Sequence, residues 1–169
     1  EVLSSGQLVN GKHLKSFESE LKKMANTKYS LAVNSGGTAL ELALLALDVK
    51  DKEVILPTQT FIASANAISR AGGIPVFADI DKKTNCLDPN DFQKYINENT
   101  VGVLIVHMFG LLSPALLKIK EICTKKGLFL IEDAAHAHGA SINGQMAGSI
   151  GDVGCFSFFA TKVITTGEG

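Results

Sequence analysis

The 169-residue chain is 46% hydrophobic and 20% charged, with a formal net charge of −1. That is the balance of a folded domain with a real core, not of a disordered chain, and it carries no general attraction to nucleic acid or to an anionic membrane. No apolar run approaches the ~20 residues of a membrane span, the opening EVLSSGQLVN lacks the apolar segment of a signal peptide, and three scattered cysteines without a CxxC pair (Cys86, Cys123, Cys155) suit reduced thiols in a cytoplasmic protein.

Read in chain order, helical and strand periodicities alternate. Leu14, Phe17, Leu21 and Met24 recur at spacings of three and four and predict an amphipathic helix over 13–27. A short strand over 29–33 and a Ser-Gly-Gly-Thr turn follow, then an apolar helix over 38–49. A strand at 53–56 is stopped by Pro57, and the helix 61–73 ends on two glycines. The next strand is predicted at 75–79, followed by a helix over 88–99 with Pro89 in its first turn. A strand at 102–106 leads to a helix over 113–127, with Ser113 as N-cap, Pro114 at the first position and Gly127 past the end. The last strands are predicted at 128–131 and 153–158, with a tight hairpin at Asn143-Gly144 between them. Near-continuous apolar strands alternating with helices predict a three-layer α/β/α fold around one mostly parallel sheet of six strands.

In such a sheet, ligands bind where the strands end. Those positions hold NSGGT, PTQTF, DID, HMFG, EDAAHAHG and SFFATK. Gly36, Gly37 and Thr38 join a strand to a helix N-terminus, a place suited to phosphate; the pattern is neither GxGxxG nor a P-loop. A plain capped turn fits those residues equally well. Glu132 and Asp133 close a buried strand, so at least one carboxylate belongs in or near the core, either as a functional acid or bonded to neighbouring backbone amides. His136 and His138 stand at i, i+2 with no matching Cys/His cluster, so no metal site is expected. Lys162, one cation just after an apolar strand, suits a Schiff-base amine; a surface lysine is the plainer reading. Lysine, carboxylate, aromatic and phosphate turn together are the parts of a pyridoxal-phosphate site.

Over its whole length the chain resembles the DegT/DnrJ/EryC1/StrS aminotransferases, a branch of the fold type I pyridoxal-phosphate enzymes. VNSGGTALELALLAL, EVILPTQTFIASANAI, HMFG, LIEDAAHAHGA and GDVGCFSFFATKVITTGEG carry the resemblance, the last two most specifically. It implies that Lys162 is the covalent and proton-shuttling lysine, that Asp133 pairs with the pyridine nitrogen, and that His136 sits beside the ring. It further implies that Phe61 stacks on the ring, and that Ser157, Gly36, Gly37 and Thr38 hold the phosphate. The activity implied is transfer of an amino group from an amino acid, glutamate being the expected donor, to a keto sugar on a nucleotide, in a cytoplasmic homodimer with shared active sites. A dehydratase on the same scaffold, which typically carries His in place of the lysine, and a non-catalytic regulatory or binding protein are the alternatives. Two departures stand out: Gly37 where the family has Thr, and Leu111-Leu112 where it has polar residues. The absent initiator Met and the ending on Gly169 suggest a fragment: a truncated, partial large domain over 1–169, the N-terminal helix plus most of the central sheet, with the small C-terminal domain outside it.

Overall fold

A computed structural model describes residues 1–169. A one-turn helix α1 (Val2–Ser5) precedes α2 (Lys12–Ala25), α3 (Gly36–Ala46), β1 (Glu53–Pro57), α4 (Ile62–Arg70), β2 (Ile74–Ala78), β3 (Thr100–Val106), α5 (Leu116–Lys126) and β4 (Phe129–Asp133). The hairpin β5–β6 (Ser141–Ile142, Gln145–Met146) and β7 (Val153–Cys155) complete the chain. Asn143 and Gly144 both turn at positive φ, 50° and 77°, as a tight two-residue hairpin requires.

The central sheet runs β2-β1-β3-β4-β7, and every pairing is parallel. Alternation along each strand splits the core into two layers. Val54, Leu56, Leu104, Val106 and Ile131 face α3 and α4, packing on Leu40, Leu44 and Ile68. Ile55, Val103, Ile105 and Leu130 face the other way, onto Leu116, Ile119 and Cys123 of α5 and onto Phe92. The central strands β1, β3 and β4, buried on both faces and covered by helices, give the expected three-layer α/β/α architecture.

Three local expectations are corrected. Residues 29–33 form no strand: Tyr29 and Leu31 are exposed, and the polar ties run to α2, Ser30 Oγ donating to the Glu18 carbonyl (2.5 Å) and Ala32 N to Glu18 Oε1 (2.9 Å). The sheet therefore has five strands, with β7 at its edge. The helix expected over 88–99 is reduced to a 3-10 turn at Phe92–Tyr95. Here short polar side chains capture the local backbone: Asp88 Oδ1 accepts from Asn90 N, Asn97 Oδ1 from Asn99 N, and Thr100 Oγ1 from Asn97 N. Finally, Ser113 does not cap α5 directly. Its hydroxyl accepts from Ala115 N in a preceding turn, and the helix starts two residues later than Pro114; Gly127 ends it at φ 69°, as expected.

Candidate active site

The carboxyl ends of β3, β4 and β7 and the N-termini of α3 and α4 surround a pocket of about 320 Å³. Gly36, Gly37, Phe61, Asp133, His136, Ser157 and Lys162 all line it, although they come from five separate segments. Of the residues that the resemblance implies for the cofactor, only Thr38 is not among its lining. Its backbone N–H and its hydroxyl instead meet Ser35 Oγ, at 3.1 and 2.9 Å, so Ser35 is the N-cap of α3. Ser35, which the sequence places in the turn without a role of its own, also lines the pocket.

One wall is built by the close approach of α3 to the end of β7. A Cβ added at Gly36 would stand 2.8 Å from Ser157 Cβ and 3.3 Å from the Phe156 carbonyl, so only glycine lets helix and strand meet there. Gly37 is different: the nearest atoms to an added Cβ are 3.9 Å away. The first intrahelical bond of α3 is donated by Ala39 to the Ser35 carbonyl (3.0 Å), which leaves the amides of Gly36 and Gly37 at the open, positive end of the helix. Ser157, buried beside them, donates its hydroxyl to the Gly169 carbonyl at 3.3 Å.

The Glu132-Asp133 pair splits across the sheet, and the two readings of a strand-end carboxylate each apply to one of them. Glu132 faces away from α3 and α4. Its Oε1 accepts from Ile150 N (2.7 Å) and Gly151 N (2.5 Å), its Oε2 from Gly148 N (2.9 Å) and His107 Nε2 (2.8 Å). Burial alone would raise its pKa; the bonds from His107 and from the amides of Gly151 and Gly148 outweigh that and hold the carboxyl below its ordinary value. Glu132 is thus a structural anchor that ties the 148–151 loop to β4.

Asp133 faces the pocket. Oδ2 accepts from Ser64 Oγ at 2.8 Å and Oδ1 from Ala135 N at 3.2 Å. No cation of the chain forms an ion pair with it. Burial dominates and raises its pKa, against smaller opposing effects from Ser64, Ala135 N, His107 and His136. A buried carboxylate that lacks a positive partner is an acceptor waiting for a donor.

The remaining groups sit around these. Lys162 is half-buried in the turn after β7, where its backbone N–H donates to the Phe159 carbonyl (2.9 Å). His136 Nδ1 accepts from Phe109 N at 3.3 Å, which makes Nε2 the protonated nitrogen of the neutral ring. Its pKa is lowered, first by burial and then by the nearby Lys162 charge. The HMFG segment shapes this corner: Phe109 is held at φ 56°, an uncommon conformation for a bulky residue, and Gly110 turns at φ 84° against the His136 carbonyl. His138 is placed apart from the pocket, its ring 5.6 Å from Phe156 and 4.9 Å from Phe158. Phe61 is 71% exposed and forms part of the rim.

The description "DegT/DnrJ/EryC1/StrS aminotransferase family" belongs to a family model that matches residues 1–169. The chain is 40% identical over 160 residues to the GDP-perosamine synthase of Vibrio cholerae, an alignment covering 94% of this chain and 43% of that protein. It is 39% identical over 164 residues to a UDP-N-acetyl-3-dehydro-alpha-D-glucosamine 3-aminotransferase of Acidithiobacillus ferrooxidans, covering 96% and 44%. Among solved structures, the aminotransferase from Psychrobacter cryohalolentis superposes with a TM-score of 0.95 at 38% identity, over 99% of this chain and 43% of that one. NtdA from Bacillus subtilis with bound cofactor PMP superposes with a TM-score of 0.81 at 34% identity, over 87% and 34%. The chain spans less than half the length of the curated relatives it matches.

Proposed function

The chain belongs to the DegT/DnrJ/EryC1/StrS aminotransferase family, and from that premise we propose that the whole protein is a pyridoxal-phosphate-dependent aminotransferase. It takes an amino group from an amino acid, glutamate in the simplest case, and delivers it to a keto sugar linked to a nucleotide. The observation that carries this reading is the convergence of Lys162, the cation-less Asp133 and the open N-terminus of α3 on one pocket.

The pocket suits the cofactor on physical grounds. At about 320 Å³ it falls in the size range of small-molecule sites. The bare glycine at position 36 lets the start of α3 lie directly against the end of β7, so the open helix N-terminus forms part of the pocket wall. Asp133 offers a buried acceptor without a cationic partner. When bound, pyridoxal phosphate supplies an electron sink for charge developing at the substrate carbon.

In this reading each residue has a task set by its place. The Gly36 and Gly37 amides and the Ser157 hydroxyl hold the phosphate at the positive end of α3. The Asp133 carboxylate accepts the proton-bearing ring nitrogen and keeps that nitrogen charged. His136, its ring oriented by the Phe109 amide on Nδ1, would offer its Nε2–H to the ring's oxygen substituent. Phe61 covers one ring face from the rim. Lys162 Nζ would be the covalent anchor for the cofactor and would serve as the base for the proton on the substrate carbon. The presence of Lys162 favours transamination over the dehydratase reading. Thr38 serves the cap of α3 and reaches the phosphate only through the helix it starts.

Residues 1–169 are, in this proposal, part of a cofactor-binding large domain whose small domain and sugar-contacting residues lie elsewhere in a longer protein; the coverage of relatives supports it. The exposed apolar side chains Phe61, Ile62, Phe109, Leu111, Val163 and Ile164 support a homodimer that shares its sites across the interface, and a cytoplasmic location is part of the same proposal. No helix is long and apolar enough to cross a membrane. The test is a screen of keto-sugar nucleotides with glutamate on the whole protein. Amine transfer that depends on added pyridoxal phosphate and vanishes in Lys162→Ala is expected. Transfer that persists in Lys162→Ala would overturn the assignment.

A further inference from the structure

Asp133 is held by a hydroxyl chain that comes from a different layer of the fold. Ser64, fully buried on α4 and 69 residues away in sequence, donates to Asp133 Oδ2 at 2.8 Å. Behind it, Thr60 Oγ1 lies 2.7 Å from Ser64 Oγ and 3.2 Å from the Phe61 carbonyl. Each hydroxyl has one hydrogen to give. With Asp133 charged, the chain runs inward: Thr60 donates to Ser64, and Ser64 to the carboxylate. With Asp133 protonated on Oδ2, it can reverse, and the outermost hydrogen then ends on the Phe61 carbonyl. The carboxyl therefore keeps hydrogen-bond partners in both protonation states. Together with Ala135 N on Oδ1, this chain clamps the carboxyl from two sides.

We propose that Ser64, backed by Thr60, is a positioning residue that orients Asp133 toward the ring nitrogen of the bound cofactor. The inference rests on the cofactor reading above and deepens it. Nothing else on α4 has this reach: the other residues of its buried face, Ala65, Ala67 and Ile68, are apolar. A buried serine on a packed helix face also has a plainer use as a satisfied polar group, and the two uses separate by experiment. If Ser64 acts through Asp133, its loss matters only for a ligand with a nitrogen to present.

The experiment is equilibrium binding of pyridoxal phosphate to the whole protein freed of cofactor, beside binding of the analogue in which C–H replaces the pyridine nitrogen. Wild type, Ser64→Ala and Ser64→Thr are compared. Ser64→Ala is expected to weaken pyridoxal phosphate on the order of tenfold, the loss typical of a hydrogen bond to a charged group. It is expected to leave the analogue unaffected, while Ser64→Thr, which keeps the hydroxyl, retains the wild-type preference. Equal loss for both ligands would reduce Ser64 to a packing role and overturn the inference, as would no loss for either. A wild-type protein that takes up no pyridoxal phosphate would overturn the proposed function and this inference with it. Uptake by the wild type with an indifferent Ser64→Ala would overturn this inference alone.

Discussion

Gly36 and Gly37 are adjacent in sequence, yet the structure assigns them opposite sensitivities. An alanine at 36 would bring Cβ to 2.8 Å from Ser157 Cβ, against about 3.5 Å for a relaxed carbon contact. The start of α3 must retreat by about 0.7 Å, the difference of those two distances. Neither neighbour yields cheaply, because one contact is a buried Cβ on the backbone and the next is the Phe156 carbonyl. Overpacking of this kind costs about 1–3 kcal/mol. The same change at Gly37 meets nothing closer than 3.9 Å and lies in helical backbone, where Gly→Ala stabilises by about 0.4–1 kcal/mol. The two variants should therefore differ by about 1.4–4 kcal/mol. Denaturant unfolding of both in parallel measures it, and titration with inorganic phosphate reports whether the displaced amides of Gly36→Ala also bind the anion less well. Equal stability of the two variants, or Gly37→Ala as the damaged one, would refute the reasoning about how α3 meets β7.

The neighbouring carboxylates should respond to pH with opposite sign. Burial raises the Asp133 pKa above its ordinary value of 3.8, so its contribution to stability is full below that value and is lost as pH rises through the folded pKa; Asp133→Asn should make the cofactor-free protein more resistant to urea at neutral pH while weakening cofactor uptake. Glu132 has a lowered pKa, so its contribution is present above 4.5 and is lost as pH falls through the folded value. Glu132→Leu strands His107 and three backbone amides, and unfolding at pH 7 should show a loss of about 3–5 kcal/mol. Burial pushes the Cys155 thiol up to about 12 and the Cys123 thiol to about 11; both should resist alkylation at pH 8 in the native protein and react once it is unfolded, as mass spectrometry would show.

How much of this the sequence displays depends on the range of the interaction concerned. The parallel sheet was legible because each strand carries its own apolar run and its own stop, and Phe61, Asp133, His136, Ser157 and Lys162 were legible because they come after strand ends, whereas Gly36 and Gly37 were found from their turn pattern alone. Residues 29–33 read as a strand by composition, but a strand exists only through a pairing partner, and Glu18 holds this segment against α2 instead. The segment 88–99 has a helical pattern that loses to Asp88, Asn97 and Thr100 bonding their own neighbourhood. Glu132 and Asp133 could not be told apart as adjacent letters, since the strand's alternation alone sends them to opposite faces. Ser64 was overlooked because its partner lies 69 residues on; the available signal was a hydroxyl among the apolar residues on the buried face of α4.

The central claim is that Lys162 is the amine that holds the cofactor. Borohydride reduction of the whole protein loaded with pyridoxal phosphate, followed by proteolysis and mass mapping, tests it without any knowledge of the sugar. The account predicts a stable cofactor mass on one peptide, the one containing Lys162, and none in Lys162→Ala. A label carried by Lys125 or any other lysine, or a wild-type protein that binds the cofactor and yields no label at Lys162, would contradict it.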